Sequence, residues 1–211
     1  MQITEIKRRR GHLCEVCFIS GESVLLDSDL VAEKAMNIGD TFSAADIAVL
    51  KNESDYRRAV SRSVWYIERG DLSEKSLYGK LKKAGFPDSA AAAAVGRMKE
   101  LSLVDDVSYA ERLAERLLQS AVSRREALLK MVNKGVPRDI AAAALDMFEC
   151  DPCDQIRALV NKKYRTKLAD PESVKKVFAA LGRKGFSYGD IKTVLKEYSE
   201  ELKYSEEQYG L

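Results

Sequence analysis

The chain has 211 residues, of which 45% are hydrophobic and 32% charged, a mixture typical of globular proteins with an apolar core. The formal net charge is only +2, but residues 54–104 and 153–203 are net basic while residues 1–53 and 105–152 are net acidic. No uncharged run is long enough to cross a bilayer, and Glu15 interrupts the apolar stretch that a secretory signal needs. We therefore expect a cytoplasmic protein without a membrane partner.

The first 53 residues predict a small β-containing extension. Ile3–Arg10, Leu13–Ile19 and Ser23–Asp27 are short runs rich in β-branched and apolar residues, and turn residues separate them. This pattern indicates a three-stranded antiparallel meander. Two helices are expected to follow, over Leu30–Met36 and Ala44–Lys51, the second beginning at a capping box of Ser43 and Asp46.

Beyond residue 53 one local pattern occurs three times. Gly85, Gly135 and Gly185 lie fifty residues apart, and each follows a helix-like segment with apolar residues at positions i, i+1 and i+4. A glycine can adopt the left-handed conformation that ends a helix, so each is predicted to be a helix C-cap. Ser73, Ser123 and Asp170 supply the matching N-cap signals.

Each glycine is followed by another predicted helix, and each unit begins with a further one. The initial helices are expected over Asp55–Glu68, Asp106–Gln119 and Asp154–Arg165. The chain is therefore mainly α, with three tandem three-helix repeats resembling helix-turn-helix units and forming an elongated curved array. The expected domains are the extension 1–53, repeat 1 over 54–104, repeat 2 over 105–152, repeat 3 over 153–203, and a tail over 204–211.

Three ordered motifs resemble those of the RecX family of bacterial recombination regulators. Residues 104–110, Val-Asp-Asp-Val-Ser-Tyr-Ala, match the Leu-Asp-Asp-x-x-Phe/Tyr-Ala signature that opens the second repeat of that family. Residues 184–191, Lys-Gly-Phe-Ser-Tyr-Gly-Asp-Ile, match the Arg/Lys-Gly-Phe-Ser-Tyr-x-x-Ile signature of the third repeat, and residues 77–85 match the first. The chain departs from the family at Gly70–Ser73, at Ser76 and at Ser102. These departures weaken what the resemblance implies about surface contacts in the first repeat more than what it implies about the fold.

The resemblance implies a function and partners. Family members bind the RecA recombinase, lie in the groove of its filament on single-stranded DNA, and block extension of the filament or promote its disassembly. They thereby inhibit ATP hydrolysis, strand exchange and co-protease activity toward the SOS repressor. The implied partners are the RecA filament and single-stranded and possibly double-stranded DNA, and members are often monomeric.

Two groups of cations are the candidate contacts for DNA or a protein partner, because lysine and arginine neutralise phosphates and arginine also clamps carboxylates. The alternative, solvated surface charge, applies to any single member. The first basic group comprises Arg57, Arg58, Arg62, Lys80, Lys82 and Lys83. The second basic group comprises Lys162, Lys163, Arg165, Lys167, Lys175, Lys176, Arg183 and Lys184. The aromatic residues Trp65, Tyr66, Tyr109 and Phe178 fall at helical spacing and are predicted to be core.

The sequence offers little for catalysis or cofactor binding. The pairs Cys14/Cys17 and Cys150/Cys153 have the local spacing of zinc ligands, but they are far apart, and residues three apart in a strand point to opposite faces. Asp105 and Asp106 are better explained as helix caps than as catalytic carboxylates. With a single histidine and no phosphate-binding glycine loop, we expect neither an enzyme nor a cofactor. The alternative function is direct DNA binding of the helix-turn-helix type.

Overall fold

The structure, a computed structural model, describes residues 1–168 and 170–209, with only the backbone of Pro171 and of residues 200–209. The chain divides into two compact units, Met1–Asp105 and Asp106–Leu211. The described part is mainly helical with one small sheet at the N-terminus, which confirms the predicted fold class. No helix in this part is long and apolar enough to cross a membrane.

The N-terminal sheet is the predicted antiparallel meander. Strands β1 (Ile3–Arg9), β2 (Leu13–Phe18) and β3 (Ser23–Asp27) lie in the order β1-β2-β3. Alternate residues of β2, from Cys14 to Phe18, are buried, so Cys14 and Cys17 lie on opposite faces as expected.

The first unit continues with four helices. They are α1 (Ser28–Glu33), α2 (Ala44–Ile67), α3 (Glu74–Lys83) and α4 (Asp88–Glu100). The prediction of separate helices over Ala44–Lys51 and Asp55–Glu68 is wrong, because α2 runs without a break through residues 53 and 54. No glycine or proline interrupts it. The buried Ser54 hydroxyl accepts a hydrogen bond from the Asp27 amide at 2.7 Å, and Asp55 pairs with Lys51 one turn away at 3.0 Å.

The second unit contains six α-helices in its described residues. They are α5 (Asp106–Gln119), α6 (Arg124–Asn133), α7 (Arg138–Asp146), α8 (Pro152–Leu159), α9 (Pro171–Arg183) and α10 (Tyr188–Tyr209). The helix predicted over Asp154–Arg165 instead changes to a π-helical turn at Val160–Tyr164 and a 3₁₀ turn at Arg165–Lys167. Helix α10 takes in residues 204–209 of the predicted tail, and Gly210 and Leu211 lie outside the described residues.

The three repeated glycines end their helices as predicted. Gly85, Gly135 and Gly185 have φ of 90°, 90° and 87°. In each case the amide of the next residue reaches back to the carbonyl five positions earlier, which is the Schellman arrangement. These bonds are Phe86 N to Leu81 O at 3.2 Å, Val136 N to Met131 O at 3.1 Å, and Phe186 N to Leu181 O at 3.4 Å.

The predicted N-caps are also confirmed. The side chains of Ser73, Ser123 and Asp170 accept hydrogen bonds from the amides of Ser76, Glu126 and Ser173 at 3.1, 3.2 and 2.9 Å. Each accepts from an amide in the first turn of its helix, where no carbonyl is available.

The buried apolar residues of the described chain fall into four clusters. One lies between Ile3 and Leu50, and the others lie within residues 59–104, 109–145 and 156–198. The buried residues of each of the last three clusters lie within the bounds of one predicted repeat.

We expect Gly85→Ala to destabilise the first unit by about 1–2 kcal/mol, because an alanine in the left-handed region brings its Cβ close to the following carbonyl. The matched control is Gly96→Ala in α4, where an added Cβ also meets nothing within 4 Å but the backbone is helical. That change should stabilise by up to about 1 kcal/mol. The single tryptophan, Trp65, reports urea unfolding of this unit by its fluorescence. Equal changes in the free energy of unfolding for the two substitutions would contradict the role of Gly85 as a helix C-cap.

Candidate functional site

Two members of the first basic group are engaged within the fold. The Arg57 guanidinium joins α1 to α2 by donating to Glu33 and Glu53, each at 2.7 Å, and its hydrogen bond holds the pKa of Glu33 below its usual value. Lys82 donates to the Phe86 carbonyl at 3.1 Å and pairs with Asp88 at 2.8 Å, which, with a bond from Tyr78, lowers the pKa of Asp88. The charges of Arg57 and Lys82 are therefore paired within the fold.

The other members of this group surround aromatic rings or remain exposed. Arg58 pairs with Asp55 at 3.5 Å and lies 5.6 Å from the Phe86 ring centroid. Arg62 and Lys80 both lie against Tyr66, at 5.9 and 5.2 Å. Such contacts orient a cation without neutralising it, so Arg62 and Lys80 retain their charge for a partner. Lys83 is exposed and has no partner among the described residues.

Trp65 is not a core residue. Its side chain is 41% exposed, because the buried stripe of α2 passes through Ala59 and Ser63 and leaves Trp65 on another face. The Arg69 guanidinium lies 3.5 Å from the indole centroid, and Tyr66 meets the indole edge-on at 5.2 Å. The core prediction holds for Tyr109, which is buried, while Tyr66 and Phe178 are half-buried.

The second basic group is mostly exposed. Lys162 and Lys163 are carried by the π-helical turn, and Lys175 and Arg183 by α9. These four are exposed and have no partner within the described part of the chain. A π-helical turn is a local widening that places consecutive side chains outside the regular helical spacing.

The remaining members of the second group differ in their surroundings. Lys167 and Lys176 line one groove of about 320 Å³ together with Tyr164. Arg165 donates to Asn161 at 3.3 Å. Lys184 is half-buried and lies 3.9 Å from a Glu126 oxygen, so it contributes less open charge than its neighbours.

Several arginines that the sequence did not single out also have defined roles. Arg157 joins α8 to α10 by pairing with Asp154 at 2.7 Å and Glu197 at 2.8 Å, and its hydrogen bond lowers the pKa of Glu197. Arg124 binds Asp146 at 2.9 Å near the end of α7. The spacing of Asp154 and Arg157 is a local signal for a pair, but the contact with Glu197 needs the fold.

The described residues offer no grouping suited to metal binding. No cluster of three or more histidine, cysteine or acidic side chains is present among them, and the four cysteines are not disulfide-bonded. Burial raises the pKa of the Cys150 and Cys153 thiols, which disfavours the reactive thiolate. Helix α5 begins at Asp106, where the Asp105/Asp106 pair was expected to start a helix.

Comparison with known proteins identifies the family. A protein named regulatory protein RecX from Prosthecochloris aestuarii is 33% identical over 150 residues, which span 69% of this chain and 97% of that protein. The chain belongs to the RecX family. A RecX protein of Caldanaerobacter subterraneus subsp. tengcongensis is 27% identical over 92% of this chain and 98% of its own length.

Two further comparisons agree with this assignment. The family model described as RecX, third three-helix domain, matches residues 149–195, which overlap most of the predicted repeat 3. A crystal structure of a regulatory protein RecX is similar with a TM-score of 0.65, covering 92% of this chain and 98% of that chain at 18% identity. The RecX structure from Lactobacillus salivarius covers 69% of this chain and 97% of that chain with a TM-score of 0.60 and 21% identity. At these identities the two structures show a shared fold.

We expect Arg57→Ala to lower the thermal unfolding midpoint at neutral pH. Because the pKa of Glu33 is depressed in the folded state, the ion pair stabilises the fold above the ordinary pKa of glutamate, and the effect is lost as the pH falls through the folded value. The difference from the unsubstituted protein should therefore shrink in acid. The exposed Lys83→Ala is the control and should leave the unfolding midpoint unchanged at both neutral and acidic pH. A deficit that persists undiminished in acid would assign the effect to packing instead of charge.

Proposed function

We propose that this protein is a negative regulator of the RecA recombinase. It binds the filament that RecA forms on single-stranded DNA, blocks extension of the filament or promotes its disassembly, and so inhibits ATP hydrolysis, strand exchange and SOS co-protease activity. It acts by binding and not by catalysis. Membership of a family whose named members are regulatory proteins supports a regulatory role.

One structural observation supports a partner made of both protein and nucleic acid. Lys162, Lys163, Lys175 and Arg183 are exposed and unpaired among the described residues, whereas Arg57 and Arg157 are each held by two carboxylates. Unpaired cations can replace the counterions of DNA phosphates or meet acidic side chains of a protein. A filament of protein on single-stranded DNA presents both.

Direct DNA binding of the helix-turn-helix type is the second candidate function. The glycine turns between α3 and α4 and between α6 and α7 support it, together with the exposed cations. The helices that would read bases do not support this function. Ala90, Ala91 and Ala94 of α4 and Ala141 and Ala144 of α7 are buried, and alanine offers no hydrogen bonds to base edges. Such helices are suited to close packing within the protein.

The DNA-dependent ATPase activity of RecA, titrated with this protein at fixed salt, tests the proposal. We expect inhibition at concentrations well below those that coat the DNA, because a regulator of the filament acts on few sites. Direct measurement of DNA occupancy in the same buffer provides the reference. Inhibition only at DNA-saturating concentrations would favour simple competition for DNA, and an absence of inhibition would refute the proposed function.

A further inference from the structure

A cleft in the first unit joins the N-terminal sheet to α2. Its volume is about 450 Å³, and its lining includes His12 from the β1–β2 turn, Asp29 from α1, and Arg62, Trp65 and Phe86 from the helical part. The Ser28 amide donates to the His12 carbonyl at 3.0 Å, which fastens the turn to the start of α1. The extension and the first repeat therefore form this cleft together.

The aromatic surface in the cleft is held in place. Arg69 stacks on the Trp65 indole at 3.5 Å and also donates to the Trp65 carbonyl at 2.8 Å. Arg62 lies further from the indole, at 5.1 Å, and lines the cleft with it. Arg69 therefore covers one face of the indole, and the partly exposed remainder of the ring lines the cleft beside Arg62. An aromatic surface next to a cation is the combination on which unpaired bases stack.

The cations of the cleft continue onto the sheet. A neighbouring groove of about 380 Å³ shares His12 and Asp29 with the cleft and is lined by Arg8. Arg8 is exposed and has no acidic partner among the described residues, whereas Arg9 is hydrogen-bonded to Glu15. Arg62 lines the cleft, Arg8 lines the neighbouring groove and His12 lines both, so each of the two cavities carries open positive charge.

Two carboxylates also line the cleft and oppose an anionic ligand. Asp27 is engaged, since its Oδ1 accepts from the amides of Asp29 and Leu30 at 3.0 and 3.2 Å as the N-cap of α1. Asp29 is exposed at the edge of the cleft. Asp29 would repel an acidic peptide as well as a phosphate chain, and a nucleic acid supplies a flat base for the indole at every residue.

We propose that this cleft binds single-stranded nucleic acid, with one base stacked on Trp65 and the adjoining phosphates near Arg62 and Arg8. The inference deepens the proposed function, because it names a place where the strand of a filament could be held, and it rests on that function only for the choice of a single strand. Binding at the cleft requires no recombinase.

Trp65 is the single tryptophan of the chain, so its fluorescence reports directly on the stacking. The probe is an oligothymidylate of about 12 nucleotides, within the range that one single-strand-binding module covers. We expect it to quench the tryptophan emission, while an abasic strand of the same length and charge quenches far less. Equal quenching by the two strands, or greater quenching by polyglutamate, would overturn the proposal.

Affinities of variants for a labelled oligothymidylate, measured by fluorescence anisotropy, complete the test. Trp65→Ala should weaken binding by roughly tenfold or more, and Trp65→Phe, which keeps a stacking face, should weaken it much less. Arg8→Ala should lower the salt slope by about 0.7, whereas the exposed control Lys75→Ala on α3 should not. Unchanged affinity of a Trp65→Ala protein with native circular dichroism would overturn the site.

The outcomes separate this inference from the proposed function. Inhibition of the RecA ATPase without quenching of Trp65 by the oligonucleotide would refute nucleic-acid binding at the cleft and support the regulatory role. Quenching without inhibition would support binding at the cleft and refute the regulatory role.

Discussion

A glycine with positive φ at the end of a helix is the constraint on which each repeated unit depends. At Gly85 the backbone reverses so that the Phe86 amide reaches the Leu81 carbonyl, and both side chains become buried. The same backbone geometry recurs at Gly135 and Gly185, where the amides of Val136 and Phe186 reach the carbonyls of Met131 and Leu181. The glycines set the directions of helices whose exposed residues are free to differ.

The cations on this scaffold fall into two physical classes. Arg57 and Arg157 each bridge two helices through two carboxylates, so their charge is neutralised within the fold. Lys162 and Lys163 have no such partner in the described residues and lie on the π-helical turn. Arg62 belongs between these classes, since an aromatic ring orients it but does not neutralise it. Net charge alone does not distinguish these environments.

Local signals in the sequence were sufficient for the strands, the glycine caps and the N-caps. Ser123 and Gly135, for example, act through atoms within a few residues of themselves. The continuity of α2 was not predictable in this way, because Ser54 is held by the amide of Asp27, a distant residue. The π-helical turn after Leu159 likewise has no glycine or proline to mark it.

The candidate site was predicted less well than the fold, for a related reason. Helical spacing placed Trp65 with the core, but the face of α2 that is buried depends on the elements packed against it. The ion pair between Arg57 and Glu33 joins two helices, and no spacing in the sequence predicts it. Composition could identify basic segments, while the state of each cation depended on which carboxylates the fold brought within reach.

The central claim is that the position of a cation, and not the net charge, determines its role. Two double variants that each remove two positive charges, Lys162→Ala/Lys163→Ala and Arg57→Ala/Arg157→Ala, can be compared by the concentration that half-inhibits the RecA ATPase. At a temperature where both are folded, we predict that the first pair raises this concentration and the second leaves it nearly unchanged. Equal shifts in the two variants, or a larger shift in the second, would contradict the account.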